Sequence, residues 1–480
     1  MIFNSLPFLV FFIVVFFIYY FPLKENSKVQ NVLLLFSSYF FYGFANWKIV
    51  PILLVATLIV FFLGRAIHKS RSVKRSSSLT TLGVLTGIGL LAYFKYFNFF
   101  IDSFASTLNA LGLQSNIGTF NIIMPLGISF FTFKLISYVL EIHRGKIECC
   151  GDIIVFSTYI AFFPTILSGP IDKPNFFIPQ LNKKRVFNYE LSVDGCRQIL
   201  WGLFQKVVIA DNLTGIINNV FGNISDHSGS TLAITAILFS IQVYADFSGY
   251  SHIAIGLAKL LGFTITKNFN YPYFSRNIGE FWRNWHMSLT SWISEYIFMP
   301  LNIKFRNLGL FGLILAIVIN MIAVGLWHGP NWTFIIFGLY HGLLFIPLIL
   351  SGSFFKKKKL TTNKYGMPVF RDFSKIIGVF LLVSIGNVIF RADNVGHAIS
   401  YVLNIFSISF FTIPELPPKT VIFFVIIFIF LEWLGRESEY GIKDFLLSYK
   451  RSVRWAIYIL FVVLILYYAG AEQPFFYFQF

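Results

Sequence analysis

The sequence predicts an all-α, polytopic membrane protein with roughly 11–15 hydrophobic helices, at ~20 residues per span. Three observations carry this. Charged residues make up only 12% of the 480-residue chain, against roughly 25% in a soluble globular protein. Long runs carry no charge at all: Phe8–Phe21, Ile49–Leu63, Val421–Leu431 and Ile457–Tyr468. The runs are continuous rather than alternating, which argues against a β-barrel.

The basic residues set an orientation. Of a net charge of +17, much gathers in Arg65 to Arg75, Lys183-Lys184-Arg185, Lys356 to Lys359 and Lys450 to Arg454. That is how cytoplasmic loops look under the positive-inside rule. The pattern suits anionic lipid headgroups and excludes nucleic acid as the partner. Segment one (about Ser5–Phe21) precedes Lys24 and Lys28, and the spans about Asn31–Trp47 and Ile49–Gly64 precede the Arg65–Arg75 cluster. Two spans separate the two basic clusters, so both face the cytoplasm and the N-terminus lies outside. Lys450, Arg451 and Arg454 precede the last span, about Trp455–Tyr468, which puts the C-terminus outside too. The first segment lacks a basic leader and a small-residue cleavage site, so it reads as a span and not as a cleavable signal.

The middle of the chain is less regular. Residues 187–212 mix charge with apolar side chains and read as an amphipathic or re-entrant helix. Asn268–Ile278 is aromatic and polar and contains Pro272. Irregular backbone at membrane depth is tolerated where it is buried in protein or lines a cavity. Residues 120–345 are therefore the expected cavity-forming core, with 1–115 and 370–470 as surrounding spans.

Two histidines stand in very apolar surroundings: His286 in Phe-Trp-Arg-Asn-Trp-His-Met, and His328 in Gly-Leu-Trp-His-Gly-Pro-Asn-Trp. An imidazole at membrane depth is costly, and its neutral form can take a proton from a hydroxyl near neutral pH. Gly329 and Pro330 should end the helix at His328, beside Trp327, Asn331 and Trp332, where a substrate can approach. A bland capping role is the competing reading. Trp282, Trp285 and His286 have the i, i+3, i+4 spacing of one helical face, which is more often packing than chemistry. His341, in Gly-Leu-Tyr-His-Gly, either supports the site or packs in the core. Asp246 lies in a dense polar cluster, Tyr244 to His252. It should pair with Arg276 or Arg283, orient a histidine, or join a helix–helix knot eased by Ser248 and Gly249.

Other chemistries find no footing. Cys149, Cys150 and Cys196 have neither metal-ligand nor disulfide-framework spacing. There is no Gly-x-x-x-x-Gly-Lys-Ser/Thr loop, no Gly-x-Ser-x-Gly elbow and no His-Glu-x-x-His. No metal is expected.

Taken together, the chain resembles the membrane-bound O-acyltransferase family, in its alginate and peptidoglycan O-acetylating branch. The resemblance runs over nearly all of residues 1–480, as one domain. It rests on Pro125-Leu-Gly-Ile-Ser-Phe-Phe-Thr-Phe133, Phe162-Phe-Pro-Thr-Ile-Leu-Ser-Gly-Pro-Ile171, Asp246-Phe-Ser-Gly-Tyr-Ser251, Phe281-Trp-Arg-Asn-Trp-His-Met-Ser-Leu289 and Gly325-Leu-Trp-His-Gly329. It implies a ring of helices around a central funnel-shaped cavity, His328 as the essential histidine, and His286 as the second residue of the site. Asp246, Trp282, Trp285, Trp327 and Asn331 are the expected supporting residues. It further implies a bacterial inner-membrane enzyme with no permanently bound cofactor. Acetyl-CoA or another acyl thioester is the implied donor, and an extracytoplasmic esterase-fold protein the implied partner. The tail 471–480, with Phe475, Tyr477 and Phe478, resembles the Phe-x-Tyr-Phe terminus of the polysaccharide-modifying branch. In the related teichoic-acid D-alanylation system that terminus belongs to a separate small partner, so its presence here favours acetylation. Tyr477 is then a candidate acyl acceptor, with an interfacial aromatic anchor as the alternative. D-alanyl transfer, or a transporter or scaffold without covalent chemistry, are the rival functions. Two departures stand out: His252 follows Gly-Tyr-Ser where the family often has an acidic residue, and Pro300-Leu-Asn-Ile303 replaces the family's Pro-Leu-Gly-Gly.

Overall fold

A computed structural model describes residues 1–24, 26–113, 118, 120–356, 360–363, 366–470, 473 and 475. Among them run 22 α-helices, and the only β pairing is one isolated bridge between Thr362 and Pro368. Among the described residues seven helices are long and apolar enough to cross a membrane: Trp47–Lys69, Val73–Ala110, Gly229–Leu260, Arg306–His328, Trp332–Leu350, Phe370–Arg391 and Arg451–Tyr468. Shorter apolar helices, Leu6–Tyr20 and Val395–Ile405, accompany them. Many large apolar side chains face outward, among them Phe36, Phe62, Phe311 and Leu466. A surface of that kind needs lipid rather than water around it, and the chain is a multi-pass membrane protein.

The expected segments form close to where the sequence puts them. Ser5 caps the first helix, its hydroxyl accepting from Phe8 N–H at 3.3 Å, with Pro7 in the first turn. Asn26 caps Ser27–Gly43 in the same way. The helix expected over 187–212 starts at Tyr189, as Tyr189–Leu203 running into a π-helical stretch at Phe204–Ala210 and then Asp211–Gly222.

The chain packs as two compact units, Met1–Ile199 with Ile253–Thr266, and Leu200–His252 with Lys267–Phe480. In the first unit the helix Ile128–His143 is buried almost throughout. It starts at Gly127, whose φ is +71° and whose absent Cβ would lie 2.2 Å from the Ile166 carbonyl oxygen. A side chain there is excluded by conformation and by space. Lys134 of that helix donates to Thr165 Oγ1 at 3.0 Å and to the Tyr159 carbonyl at 3.1 Å. Two of the sequence motifs, Pro125–Phe133 and Phe162–Ile171, thus meet to build this unit. Within the basic run Lys183-Lys184-Arg185, Arg185 turns inward. Its guanidinium is buried and donates to Asn31 Oδ1 at 2.6 Å, Tyr19 Oη at 2.5 Å and the Leu181 carbonyl at 2.8 Å. A buried charge of this kind holds only when its donors are satisfied. Lys357–Lys359 lie outside the described residues.

The second unit contains both histidines. Helices Gly309–His328 and Trp332–Leu344 form a tight hairpin. A Cβ on Gly325 would come within 2.0 Å of the Phe334 carbonyl oxygen, and one on Gly338 within 2.4 Å of that of Met321. Small residues at the crossing let the backbones touch, and this fixes His328 against the neighbouring helix.

Candidate active site

His328 is the last residue of its helix, and Gly329 continues in extended conformation. Asn331 then caps the next helix, its Oδ1 accepting from Thr333 N–H at 3.0 Å while its amide donates to the Asp393 carbonyl at 2.9 Å. Asn331 therefore holds the turn after His328 and serves the backbone. The His328 ring is 5% exposed and enclosed by aromatic rings: Phe390 at 4.9 Å, Trp327 at 5.0 Å, Phe337 at 6.0 Å and Phe334 at 6.4 Å between centroids.

His286 sits differently from the helical face its spacing suggested. The helix Ile278–Asn284 stops before it, Trp285 is extended, and His286 adopts φ +42°, ψ 54° at the start of the next helix, Met287–Ile293. Trp282, Trp285 and His286 therefore do not share one continuous helical face. A left-handed conformation is uncommon outside glycine and costs energy. The break turns the fully buried imidazole against Phe247 at 4.7 Å and Trp327 at 5.3 Å. Trp327 thus contacts both imidazoles.

His328 lines a narrow cavity with Val243, Phe281, Trp282, Trp285, Phe337, His341, Asn387 and Phe390. Its free interior leaves room for about one water molecule. Trp285 builds the wall, packed on Phe269 at 5.1 Å and Phe281 at 5.5 Å. Trp282 donates its indole N–H to His341 Nδ1 at 3.3 Å. The structure thus brings Trp282, Trp285 and His328 to one cavity and adds His341 and Asn387, which donates to Ser240 Oγ at 3.0 Å.

Asp246 pairs with neither arginine. Its Oδ1 lies 2.6 Å from Lys206 Nζ, and Asp211 Oδ1 lies 2.9 Å from the same ammonium. Lys206 was missed in the sequence, although a lone lysine inside Leu203-Phe-Gln-Lys-Val-Val-Ile is the kind of buried charge that needs a partner. The knot reading of this segment holds. Ser248 donates to Gln205 Oε1 at 3.1 Å, and Gly249 brings its helix against the Gly202 carbonyl, 2.8 Å from where a Cβ would stand. Arg276 instead pairs with Glu280 at 2.8 Å and Asp372 at 3.3 Å. Burial tends to lower its pKa, but the two carboxylates outweigh this and raise it. Arg276 and Arg283 line a second, polar and open cavity of about 510 Å³ with Tyr271, Ser275, Glu280 and Asn284.

Tyr477 lies outside the described residues. Phe475 does not: it is 1% exposed, its ring perpendicular to Tyr250 at 4.5 Å and 4.5 Å from Lys206 Nζ. Among the described residues no three His, Cys, Asp or Glu side chains gather to hold a metal ion.

Comparison with known proteins shows the family. The model of the membrane-bound O-acyltransferase family matches residues 151–388, which include both His286 and His328. The chain is 34% identical over 453 residues to a probable alginate O-acetylase of Azotobacter vinelandii, covering 93% of this chain and 86% of that protein. It is 30% identical to a peptidoglycan O-acetyltransferase of Helicobacter pylori, covering 83% and 78%. It is 29% identical to a teichoic acid D-alanyltransferase of Streptococcus thermophilus, covering 55% and 66%. The chain belongs to the membrane-bound O-acyltransferase family, in the branch of the alginate and peptidoglycan O-acetylating enzymes, and is an O-acyltransferase.

Proposed function

We propose that this enzyme takes an acetyl group from a cytoplasmic thioester, acetyl-CoA, and passes it across the bacterial inner membrane for O-acetylation of an extracytoplasmic glycan. The single observation that carries the reading is the place of His328: at a helix end, in an aromatic enclosure, lining a cavity. A neutral imidazole there is a general base shielded from water, and that shielding protects the thioester from hydrolysis. The guanidinium of Arg283 at the polar cavity suits a donor that carries phosphates.

In the first step the phenol of Tyr477 gives its proton to His328 as its oxygen attacks the thioester carbonyl. The C–S bond then breaks, and the thiolate leaves with the proton from the imidazolium. The products are an acetyl-tyrosine ester and a free thiol. An esterase-fold partner outside the membrane next moves the acetyl group to a glycan hydroxyl, and the tyrosine is restored. Both termini lie outside in this reading. His286, held against Trp327, supports the enclosure.

His328→Ala tests the proposal in cells. Glycan O-acetylation is lost while the protein inserts in normal amount; unchanged acetylation rules the reading out in favour of transport or scaffolding. Tyr477→Phe has the same effect, and normal acetylation in that variant removes the relay.

A further inference from the structure

Attack on a thioester builds negative charge on the carbonyl oxygen, and a site that accelerates it needs a hydrogen-bond donor aimed there in advance. His328 cannot be that donor while it serves as the base. A second imidazole faces the same cavity. His341 is fully buried, lines the cavity with His328, and shares with it the ring of Phe337, at 4.6 Å from His341 and 6.0 Å from His328.

The tautomer of His341 follows from its neighbour. An indole N–H is a donor and never an acceptor. Trp282 Nε1 points at His341 Nδ1 at 3.3 Å, with the two rings perpendicular and 5.1 Å apart. Nδ1 must therefore accept, and the neutral ring carries its proton on Nε2. Among the described residues Nε2 has no hydrogen-bond partner. A buried polar atom left without one is rare, and a role in chemistry is one accepted reason for it. Nε2 lies close against Gly386, where a Cβ would stand 2.6 Å from it, so only glycine leaves room for the ring there.

We infer that His341, locked by Trp282 as the Nε2–H tautomer, donates a hydrogen bond to the acyl carbonyl oxygen during transfer. The inference rests on the reading of His328 as the base. The base takes the nucleophile's proton, and the neighbouring imidazole stabilises the oxyanion without giving its own proton away. Trp282 is a positioning residue that acts through His341.

The test uses the full chain in lipid nanodiscs with acetyl-CoA, following the rate of the single round of free-thiol release, taken as turnover, and, separately, binding of the donor. His341→Leu fills the space but donates nothing. It should lower the turnover rate by about 10²-fold or more with donor affinity unchanged. His341→Gln, which offers an amide N–H near the same place, should recover most of that loss. Trp282→Phe keeps an aromatic ring and frees the tautomer, and should lower turnover partially without changing donor affinity. Thermal unfolding of each variant confirms that it is folded. Wild-type turnover in folded His341→Leu overturns the inference, as does a folded His341→Gln that is no better than the leucine variant. His328→Ala measured alongside separates the two claims. If it turns over normally, the base assignment itself fails; if it is inactive while His341→Leu is normal, only the role of His341 fails.

Discussion

The ring of Phe475 lies 4.5 Å from the ammonium of Lys206, and that ammonium is already gripped by Asp246 and Asp211. A residue of the C-terminal tail is thus seated on a buried charge cluster through a cation–π contact. Such contacts strengthen when desolvated. Replacing Phe475 by Ala removes a buried ring, a change that costs about 3–5 kcal/mol in a rigid core and less in a tail that can detach on its own. The expected outcome is lower thermal stability and a fall in glycan acetylation. Wild-type stability and acetylation in the variant would show that the Phe475 contact anchors nothing.

Lys206→Met should be the more damaging change at this cluster. It leaves the buried Asp246 and the half-buried Asp211 without their cation, and breaking one side of a buried pair costs about 3–5 kcal/mol. The combined variant with Asp246→Leu and Asp211→Leu removes the stranded charges and should recover part of the loss. Thermal unfolding in detergent reads the difference.

At His286 the backbone and the ring make separate demands. Asn tolerates the left-handed conformation better than Ala does. His286→Asn should therefore express at a higher level than His286→Ala, while both lose transfer activity because the ring against Trp327 and Phe247 is gone. Equal expression of the two variants would mean that the φ of +42° imposes no cost.

Gly325→Val should displace the helix Trp332–Leu344 from the His328 helix, because its side chain would strike the Phe334 carbonyl. Overpacking at such a site typically costs about 1–3 kcal/mol, and here the obstacle is backbone, which yields least. A drop in thermal stability together with lost thiol release is the expected result; retention of both would mean that the hairpin opens freely.

Long uncharged runs and Gly329-Pro330 as a stop were legible in the sequence because each acts locally. The same holds for His328, whose helix ends where a glycine and a proline must end it. His286 misled because spacing alone cannot show a backbone that breaks between Asn284 and Met287. Asp246 misled because its partner, Lys206, comes from a helix 40 positions earlier, and composition offered Arg276 and Arg283 as nearer candidates. Those two face a different cavity, and Arg276 is already taken by Glu280 and Asp372. His341 looked like core packing, and only the direction of the Trp282 indole gives it a defined tautomer.

The most direct measurement is the intact mass of the C-terminal peptide after exposure of the purified enzyme to acetyl-CoA, in wild type and in His328→Ala. An acetyl adduct on Tyr477 in the wild type, absent from a folded His328→Ala, is the predicted result. An adduct of equal abundance in both proteins, or none in an active wild type, would contradict acyl transfer to Tyr477 with His328 as base.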